Sequence, residues 1–417
     1  MIHADYMTQP GGEQSTETVL QLGAGRFLRA FVDRFVHQAN EAGQNVGSIV
    51  VVQSTPGKRA DGLNQQPGGF QVLVRGILDG ETIERIESVR SVRRALNAAE
   101  QWGEVLELAR SNHLRYLVSN ATEAGYALFD SDLLESDPPK SLPAKVTQLL
   151  WARYQAGGKP LLILPCELIE MNADKLRELV IHQSQSWSLP SEFLAYISTC
   201  TWLNNLVDCI VTSASPDHPL GVEDKLLVHA EPYALWAVER PTKNLCCERL
   251  EMRCSDRTAP IANVSLSPPQ NETRTQPPFF EHPAIQWVDD LTPCYLKKVR
   301  ILNGLHSAMV AKYLNSQFET VQQVLADRIA ARWIRGLLFE EIVPTIAYRV
   351  SDVAQFADHT WDRLRNPFLA HRLQDIALNH ADKVRVRLRP TYDEYVALFG
   401  KSPPRLGEVV RGQSSDL

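Results

Sequence analysis

The segment Lys297-Lys298-Val299-Arg300-Ile301-Leu302-Asn303-Gly304-Leu305-His306-Ser307 holds three side chains that together suit proton transfer to an oxygen. Following Thr292-Pro293, it reads as a helix. Lys298, His306 and Asn303 then fall at about 0°, 80° and 140° around the axis, at ~100° per residue. Leu302, Leu305 and Met309 cluster within about 40° of Lys298 by the same step, so the polar residues border a buried stripe. A lysine there is partly desolvated, which lowers its pKa from the free value of ~10.4. Such an amine is a competent general acid/base at neutral pH. An amide donor and an imidazole beside it suit a carbonyl or alkoxide oxygen. The same pattern also fits a basic helix edge whose Asn and His are interface residues.

A second candidate lies near the start. Thr18-Val19-Leu20-Gln21-Leu22 runs into Gly23-Ala24-Gly25-Arg26-Phe27, and Phe27, Phe31 and Phe35 then recur every four residues. A strand, a Gly-x-Gly turn and an amphipathic helix let the backbone approach a pyrophosphate at a helix N-terminus. Gly23, Ala24, Gly25, Arg26 and Phe27 are therefore candidate cofactor contacts. Leu28 stands where the third glycine of the pattern is usual, and a tight turn of any α/β protein remains the alternative. A later apolar strand leads into Ser119-Asn120-Ala121-Thr122, of which Ser119, Asn120 and Thr122 join the cofactor set. The alternative here is a capped helix start. The strand Ser48-Ile49-Val50-Val51-Val52-Gln53 ends without the acidic residue that normally holds the adenosine ribose of NAD. Lys58 and Arg59 follow and suit a 2′-phosphate, or a solvated loop, so the residues leave NAD against NADP open.

The elements that must position these residues alternate. Strands are expected at 70–75, 83–89, 116–119 and 161–165, and helices at 98–109, 143–154 and 173–185. Strands alternating with helices imply a doubly wound parallel α/β sheet. Residues 241–278 are rich in Pro, Asn, Ser and Thr and read as a variable connector, with short strands at 250–254 and 262–266. Beyond Leu291 the pattern is helical almost to Leu398. The expected architecture is an α/β, Rossmann-type domain over 15–278 and a mostly α-helical domain over 279–417 carrying substrate and catalytic groups. The boundary falls between 275 and 292, and residues 1–14 form a loose tail.

With 44% hydrophobic and 22% charged residues among 417, the chain is a folded globular protein. A net charge of -6 is a poor match to nucleic acid, which needs clustered cations. No apolar run reaches the ~18 residues of a membrane span, and the N-terminus lacks a signal peptide's apolar centre. Cys166, Cys200, Cys209, Cys246, Cys247, Cys254 and Cys294 have neither disulfide nor zinc spacing, so free thiols in a reducing cytoplasm and no metal are expected. Oligomeric state is not legible.

Together these residues resemble the mannitol dehydrogenase family of long-chain polyol dehydrogenases and, within it, the tagaturonate reductase branch. The likeness runs from Val19 to about Leu388. It is carried by Leu20-Gln21-Leu22-Gly23-Ala24-Gly25-Arg26-Phe27-Leu28-Arg29-Ala30-Phe31, Ser119-Asn120-Ala121-Thr122-Glu123-Ala124-Gly125, Pro165-Cys166-Glu167-Leu168-Ile169-Glu170-Met171-Asn172, Lys298 with Asn303-Gly304-Leu305-His306, and Arg365-Asn366-Pro367. The resemblance implies metal-independent hydride transfer between NAD(H) and a small polyol or sugar acid. It makes Lys298 the acid/base, lets Asn303 and Asn172 polarise the substrate oxygen, and has His306 orient the substrate. Asp208 and Arg365 are the implied substrate contacts. Cys166-Glu167-Leu168 in place of Cys-Asp-Asn favours a tagaturonate substrate over mannitol or fructuronate. Asn172 precedes Ala173 where Gly is usual, and Asp208 precedes Cys209 where Arg is common. The rival outside enzymology is a nucleotide-binding protein without turnover.

Overall fold

The computed structural model describes residues 15–78, 80–213, 218–241, 279–368 and 371–411. The expected tail at 1–14, the connector strands and Cys246, Cys247 and Cys254 lie outside them. Among the described residues thirteen strands run in chain order: β1 (Glu17–Leu22), β2 (Ser48–Gln53), β3 (Phe70–Leu78), β4 (Glu81–Val89), β5 (Val92–Asn97), β6 (Tyr116–Ser119), β7 (Leu162–Pro165), β8 (Thr201–Trp202), β9 (Asn205–Asp208), β10 (Val211–Ser213), β11 (Val228–Ala230), β12 (Leu235–Glu239) and β13 (Ile285–Val288). The main sheet is entirely parallel in the order β5-β2-β1-β6-β7-β8. Its strands are short apolar runs covered on both faces, and every residue of β2 is buried. The connections pass to one side from β1 to β2 and β5, and to the other from β6 onward. The switch point, where a doubly wound sheet opens a crevice for ligands, therefore lies between the C-terminal ends of β1 and β6.

The helices that matter here are α1 (26–41), α2 (Ala98–Arg110), α3 (Leu142–Gln155), α4 (Asn172–Ser186), α5 (292–313), α6 (Val353–Leu364) and α7 (380–399). Helices α2, α3 and α4 lie within a residue or so of their expected limits. β3 and β4 depart from the expected alternation. They pair with each other antiparallel over their whole length and leave the main sheet, joining β10 and β11 in a second, four-stranded sheet. β4 is mostly polar, with Ile83, Ile86 and Val89 its apolar residues, and a strand buried on both faces cannot hold so many polar side chains. A third sheet, β13-β12-β9, holds the end of the first region. β13 pairs parallel with β12, and Phe279, Phe280 and Ala284 pack into the core beneath α1. Residues 279–288 therefore go with the sheets, and the helical region starts at Thr292 rather than 279, at the far edge of the interval allowed above.

Beyond Thr292 the described residues are helical, around a core of their own that includes Leu302, Leu305, Met309, Ile334, Leu338, Ile342 and Leu388. Among the described residues four helices contain a π turn: α1 at Arg29–Asp33, α5 at Lys297–Asn303, the helix over 328–346 at Leu337–Ile342, and α7 at Val384–Leu388. Such turns cluster at functional sites because they re-aim side chains without breaking the helix.

Candidate active site

The π turn of α5 delivers Lys298 and Asn303. Under α-helical winding Asn303 stands about 140° away from Lys298. With i→i+5 bonding the fifth residue comes round to the same side. The angular arrangement expected from the sequence is thus corrected: Lys298 and Asn303 share a side. Lys298 donates from Nζ to the carbonyl of Val207, in β9. Burial pushes its amine below the usual lysine range; the Asp208 carboxylate partly restores it, and Arg363 and Arg387 push it down again. Asn303 is half-buried, and its Nδ2 has no partner.

His306 follows one turn on and is buried. Burial first, then His371, Arg387 and Arg363, drive its pKa well below the ordinary value, so the ring is neutral. Its Nε2 is buried without a partner, which leaves that nitrogen to a substrate hydroxyl. His371 meets it edge-on at 4.7 Å between ring centroids.

Asp208 closes β9 beside Lys298. Arg363, on α6, grips it with Nη1 and Nη2, each at 3.0 Å. The same guanidinium holds Glu231 at 2.9 and 2.7 Å and lies over the Tyr233 ring at 4.1 Å from its centroid. All three charged groups are buried. Burial pushes the Asp208 carboxyl up, but Arg363 and Lys298 outweigh it and hold it below the usual carboxylate range. Burial keeps Glu231 above that range despite Arg363. The order Val353, Ala357, Thr360, Leu364 marks the buried face of α6, and an arginine interrupting it is the signal that identifies Arg363. Glu231 follows a buried strand and carries no comparable signal.

Two expected site residues offer no group to a substrate there. Asn172 is buried, and its amide is spent on backbone: Nδ2 donates to Pro165, Glu167 and Asn205 at 2.7, 3.1 and 2.9 Å, and Oδ1 accepts from Ala173 and Asn205 at 3.0 and 3.1 Å. With both donors and both lone pairs engaged, it ties β7 to β9 and has nothing left for a substrate oxygen. Arg365 is exposed at the C-terminal end of α6; the arginine that enters the site is Arg363.

The Gly-x-Gly turn sits at the switch point. Gly23 has φ +137°, and a Cβ there would stand 3.3 Å from the Asn120 carbonyl, so β1 and β6 approach closely only through glycine. Gly25 faces open space, with nothing within 4 Å of an added Cβ. It also immediately precedes the free N–H groups of α1. That open ledge above a helix N-terminus fits a pyrophosphate. Ala24 is buried and its carbonyl accepts from Arg29 at 3.0 Å; Arg26 is exposed and reaches Ser213; Phe27 stacks on Phe31 at 4.9 Å. Ser119 is buried with its hydroxyl unpartnered, Asn120 bridges to the Cys166 carbonyl at 2.7 Å, and Thr122 is exposed. At the end of β2, Gln53 is turned inward on the loop carbonyls of Thr55 and Gly57 and the Ala60 amide. Lys58 and Arg59 remain exposed there.

A cavity of about 90 Å³ opens beside Val207, lined by Glu167, Asn205, Leu291, Thr292 and Tyr295. A larger one, about 490 Å³, lies against α1 and residues 281–284 and touches the candidate groups only through Tyr233. Among the described residues no cluster of His, Cys, Asp and Glu could hold a metal ion, and no helix is long and apolar enough to cross a membrane.

Residues 17–251 match the mannitol dehydrogenase Rossmann domain, and residues 290–402 match the mannitol dehydrogenase C-terminal domain. The chain belongs to the mannitol dehydrogenase family. Among its relatives in this family, the altronate oxidoreductase of Halalkalibacterium halodurans is 36% identical over 418 residues, covering 97% of this chain and 76% of the relative. That of Bacillus subtilis is 35% identical over 404 residues, covering 94% and 78%. The fold is shared with Pseudomonas fluorescens mannitol 2-dehydrogenase, solved as a ternary complex with NAD and D-mannitol (TM-score 0.75, 20% identity, 96% and 79% coverage). It is also shared with a substrate-free D-sorbitol dehydrogenase (TM-score 0.72, 19% identity, 96% and 80% coverage). The family's two domains thus correspond to the parallel sheet with the Gly-x-Gly turn and to the helices that bear Lys298.

Proposed function

We propose that this family member is a dehydrogenase that interconverts D-tagaturonate and D-altronate with NAD(H), using Lys298 as acid/base and no metal. The observation that carries the chemistry is Lys298 itself. It is an amine of lowered basicity at the junction of the two regions, near an amide Nδ2 of Asn303 and an imidazole Nε2 of His306 that lack protein partners. The substrate follows from the altronate oxidoreductase relatives. The Gly23–Phe27 turn, with Ser119, Asn120 and Thr122, holds the dinucleotide; when bound, NAD(H) supplies the hydride. The absence of an acid at the end of β2, with Lys58 and Arg59 nearby, keeps NADP(H) within reach.

In the reductive direction Asn303 Nδ2 donates to the ketone oxygen and stabilises the charge that develops there. The Lys298 ammonium gives its proton to the alkoxide oxygen as the carbon is reduced; in the oxidative direction the neutral amine takes it back. His306 Nε2 accepts from a neighbouring substrate hydroxyl and fixes the pose. Asp208 and Arg363 set the charge and position of Lys298 instead of supplying a proton.

The test is loss of reduced-nicotinamide absorbance with NADH and NADPH against tagaturonate, fructuronate and fructose. Turnover of tagaturonate supports the reading. Turnover of fructuronate or fructose in its place would reassign the substrate to the sister activities. A flat trace with cofactor binding confirmed would leave a nucleotide-binding protein without turnover. The described cysteines are free thiols, which suits a reducing cytoplasm.

A further inference from the structure

The Gly-x-Gly turn is held from beneath by two buried polar side chains. Gln21, the last but one residue of β1, is buried, and its Nε2 donates to the Gly23 carbonyl at 3.2 Å. Arg29 begins the π turn of α1. Side chains on a helix lean toward its N-terminus, so a long one in the first turn reaches back under the chain that enters it. Arg29 does so: Nη1 donates to the Ala24 carbonyl at 3.0 Å, and its backbone N–H donates to the Gly25 carbonyl at 3.4 Å. Three successive carbonyls are thus turned inward, onto Gln21 and Arg29. These peptides are trans, and in a trans peptide the C=O and N–H of one plane point opposite ways. The inward Gly23 and Ala24 carbonyls therefore turn the Ala24 and Gly25 N–H groups outward. Among the described residues neither N–H donates to a protein acceptor. Open space adjoins them at Gly25, where an added Cβ meets nothing within 4 Å.

Arg29 is only 6% exposed, yet its side chain makes this one hydrogen bond, and Nε is buried without a partner. Burying a cation on a single carbonyl costs free energy that a nearby anion offsets. Asp33, four residues on in the same π turn, offsets part of that cost. A pyrophosphate on the outer side of the same peptides offsets more. We infer that Gln21 and Arg29 are positioning residues for the cofactor, holding the Gly23–Gly25 peptides so that the Ala24 and Gly25 N–H groups face its pyrophosphate. Both act through the backbone they hold. The donors are then set before the dinucleotide arrives, which spares it the cost of ordering them. This assignment rests on the reading of the turn as the dinucleotide site and adds what shapes the turn for it.

The experiment measures NADH affinity by fluorescence titration in the wild type, Arg29→Met, Arg29→Lys and Gln21→Met, with ADP and adenosine as competitors. ADP carries the diphosphate and adenosine does not, so the pair separates a loss at the turn from a general loosening of the fold. Melting temperature and the KM for tagaturonate at saturating NADH are followed alongside. For Arg29→Met the Kd of NADH and the inhibition constant of ADP should rise roughly 10–100-fold, the loss of a charged hydrogen bond. Gln21→Met, which loses a neutral bond, should raise both roughly 3–10-fold. Arg29→Lys keeps the charge and should fall between Arg29→Met and wild type. The inhibition constant of adenosine and the KM for tagaturonate should stay near wild type. If Arg29→Met does not fold, Arg29→Lys and Gln21→Met carry the same comparison. Folded variants with unchanged NADH affinity, or losses shared equally by ADP and adenosine, overturn the assignment while leaving the turn as the dinucleotide site. A wild type in which ADP competes no better than adenosine removes the turn from that site and overturns both.

Discussion

Arg363 and Asp208 face each other through two parallel hydrogen bonds of 3.0 Å, sealed from solvent, although they lie 155 residues apart in the chain. The pair joins α6 of the helical region to β9 of the sheets at the point where Lys298 crosses between them. Removing one partner of a buried pair strands the other charge and costs about 3–5 kcal/mol. Arg363→Met strands two carboxylates. It is expected to lower the unfolding free energy measured in urea by an amount of that order and to abolish turnover. Arg363→Lys should rescue neither, because an ammonium cannot engage both carboxylates as the fork does. A stability within 1 kcal/mol of wild type, roughly the value of an exposed pair, would remove the pair from its supporting role.

Asp208 also raises the Lys298 amine against the burial that lowers it. Asp208→Asn withdraws that support, so the amine becomes less basic still. Reduction needs the ammonium and fails above its pKa; oxidation needs the free amine and fails below it. Both limbs should therefore move to lower pH in the variant, read from kcat/KM profiles in each direction. Limbs that stay in place would mean that Lys298 does not titrate in the rate profile. Lys298→Ala should cost on the order of 10²–10⁴ in kcat with NADH affinity preserved.

Asn172 separates a residue's presence near the site from its use there. Its five hydrogen bonds to backbone predict a structural role, so Asn172→Ala should lower stability by roughly 1–3 kcal/mol by leaving buried carbonyls and amides unpaired. The KM for substrate should stay near wild type in the fraction that remains folded. A melting temperature unchanged beside a collapsed kcat would instead return Asn172 to the substrate oxygen.

What the sequence discloses and what it conceals divide along physical lines. The Gly23 turn, β2, β6, β7 and helices α2 to α4 are legible because their signals are local: apolar runs, caps and a helical period. Lys298, Asn303 and His306 stand out as polar residues on the rim of a buried stripe. Their mutual angle does not, because a π turn leaves no mark in a 3.6-residue period. Glu231 is hidden for another reason. Whereas Arg363 leaves a trace as an arginine on the apolar face of α6, Glu231 is an ordinary surface residue type until α6, β11 and β9 meet, and the burial that makes it matter is a property of that meeting. The same holds for Asn172, whose commitment to backbone is visible only once β7 and β9 are side by side.

Asp33 offers a pH test outside the reaction centre. It lies in the π turn of α1, fully buried, and neither carboxylate oxygen has a partner. Burial pushes its pKa up to about 7, against a smaller pull from Gln21 and Arg29. A carboxyl raised in the folded state contributes stability that is complete below its unfolded value of ~4 and lost as pH rises through about 7. Asp33→Asn cannot ionise. The melting temperature of the wild type should therefore fall relative to the variant between pH 5 and pH 8. A constant difference across that range would show that Asp33 ionises without cost.

Gly23 and Gly25 carry different burdens, and substitution separates them. Gly23→Ala forces a side chain into φ +137° and against the Asn120 carbonyl, so the loss should appear as lowered stability together with lost cofactor affinity. Gly25 has φ -73°, which alanine adopts freely, and its added Cβ would meet no protein atom within 4 Å. Gly25→Ala should therefore melt with the wild type. The methyl would project onto the ledge where the backbone must approach a pyrophosphate. NADH affinity, followed by fluorescence titration, should fall by roughly tenfold or more, the equivalent of about 1.4 kcal/mol. Retained affinity in a folded Gly25→Ala variant would place the dinucleotide elsewhere along the crevice and remove the turn from the binding site, whatever its likeness to one.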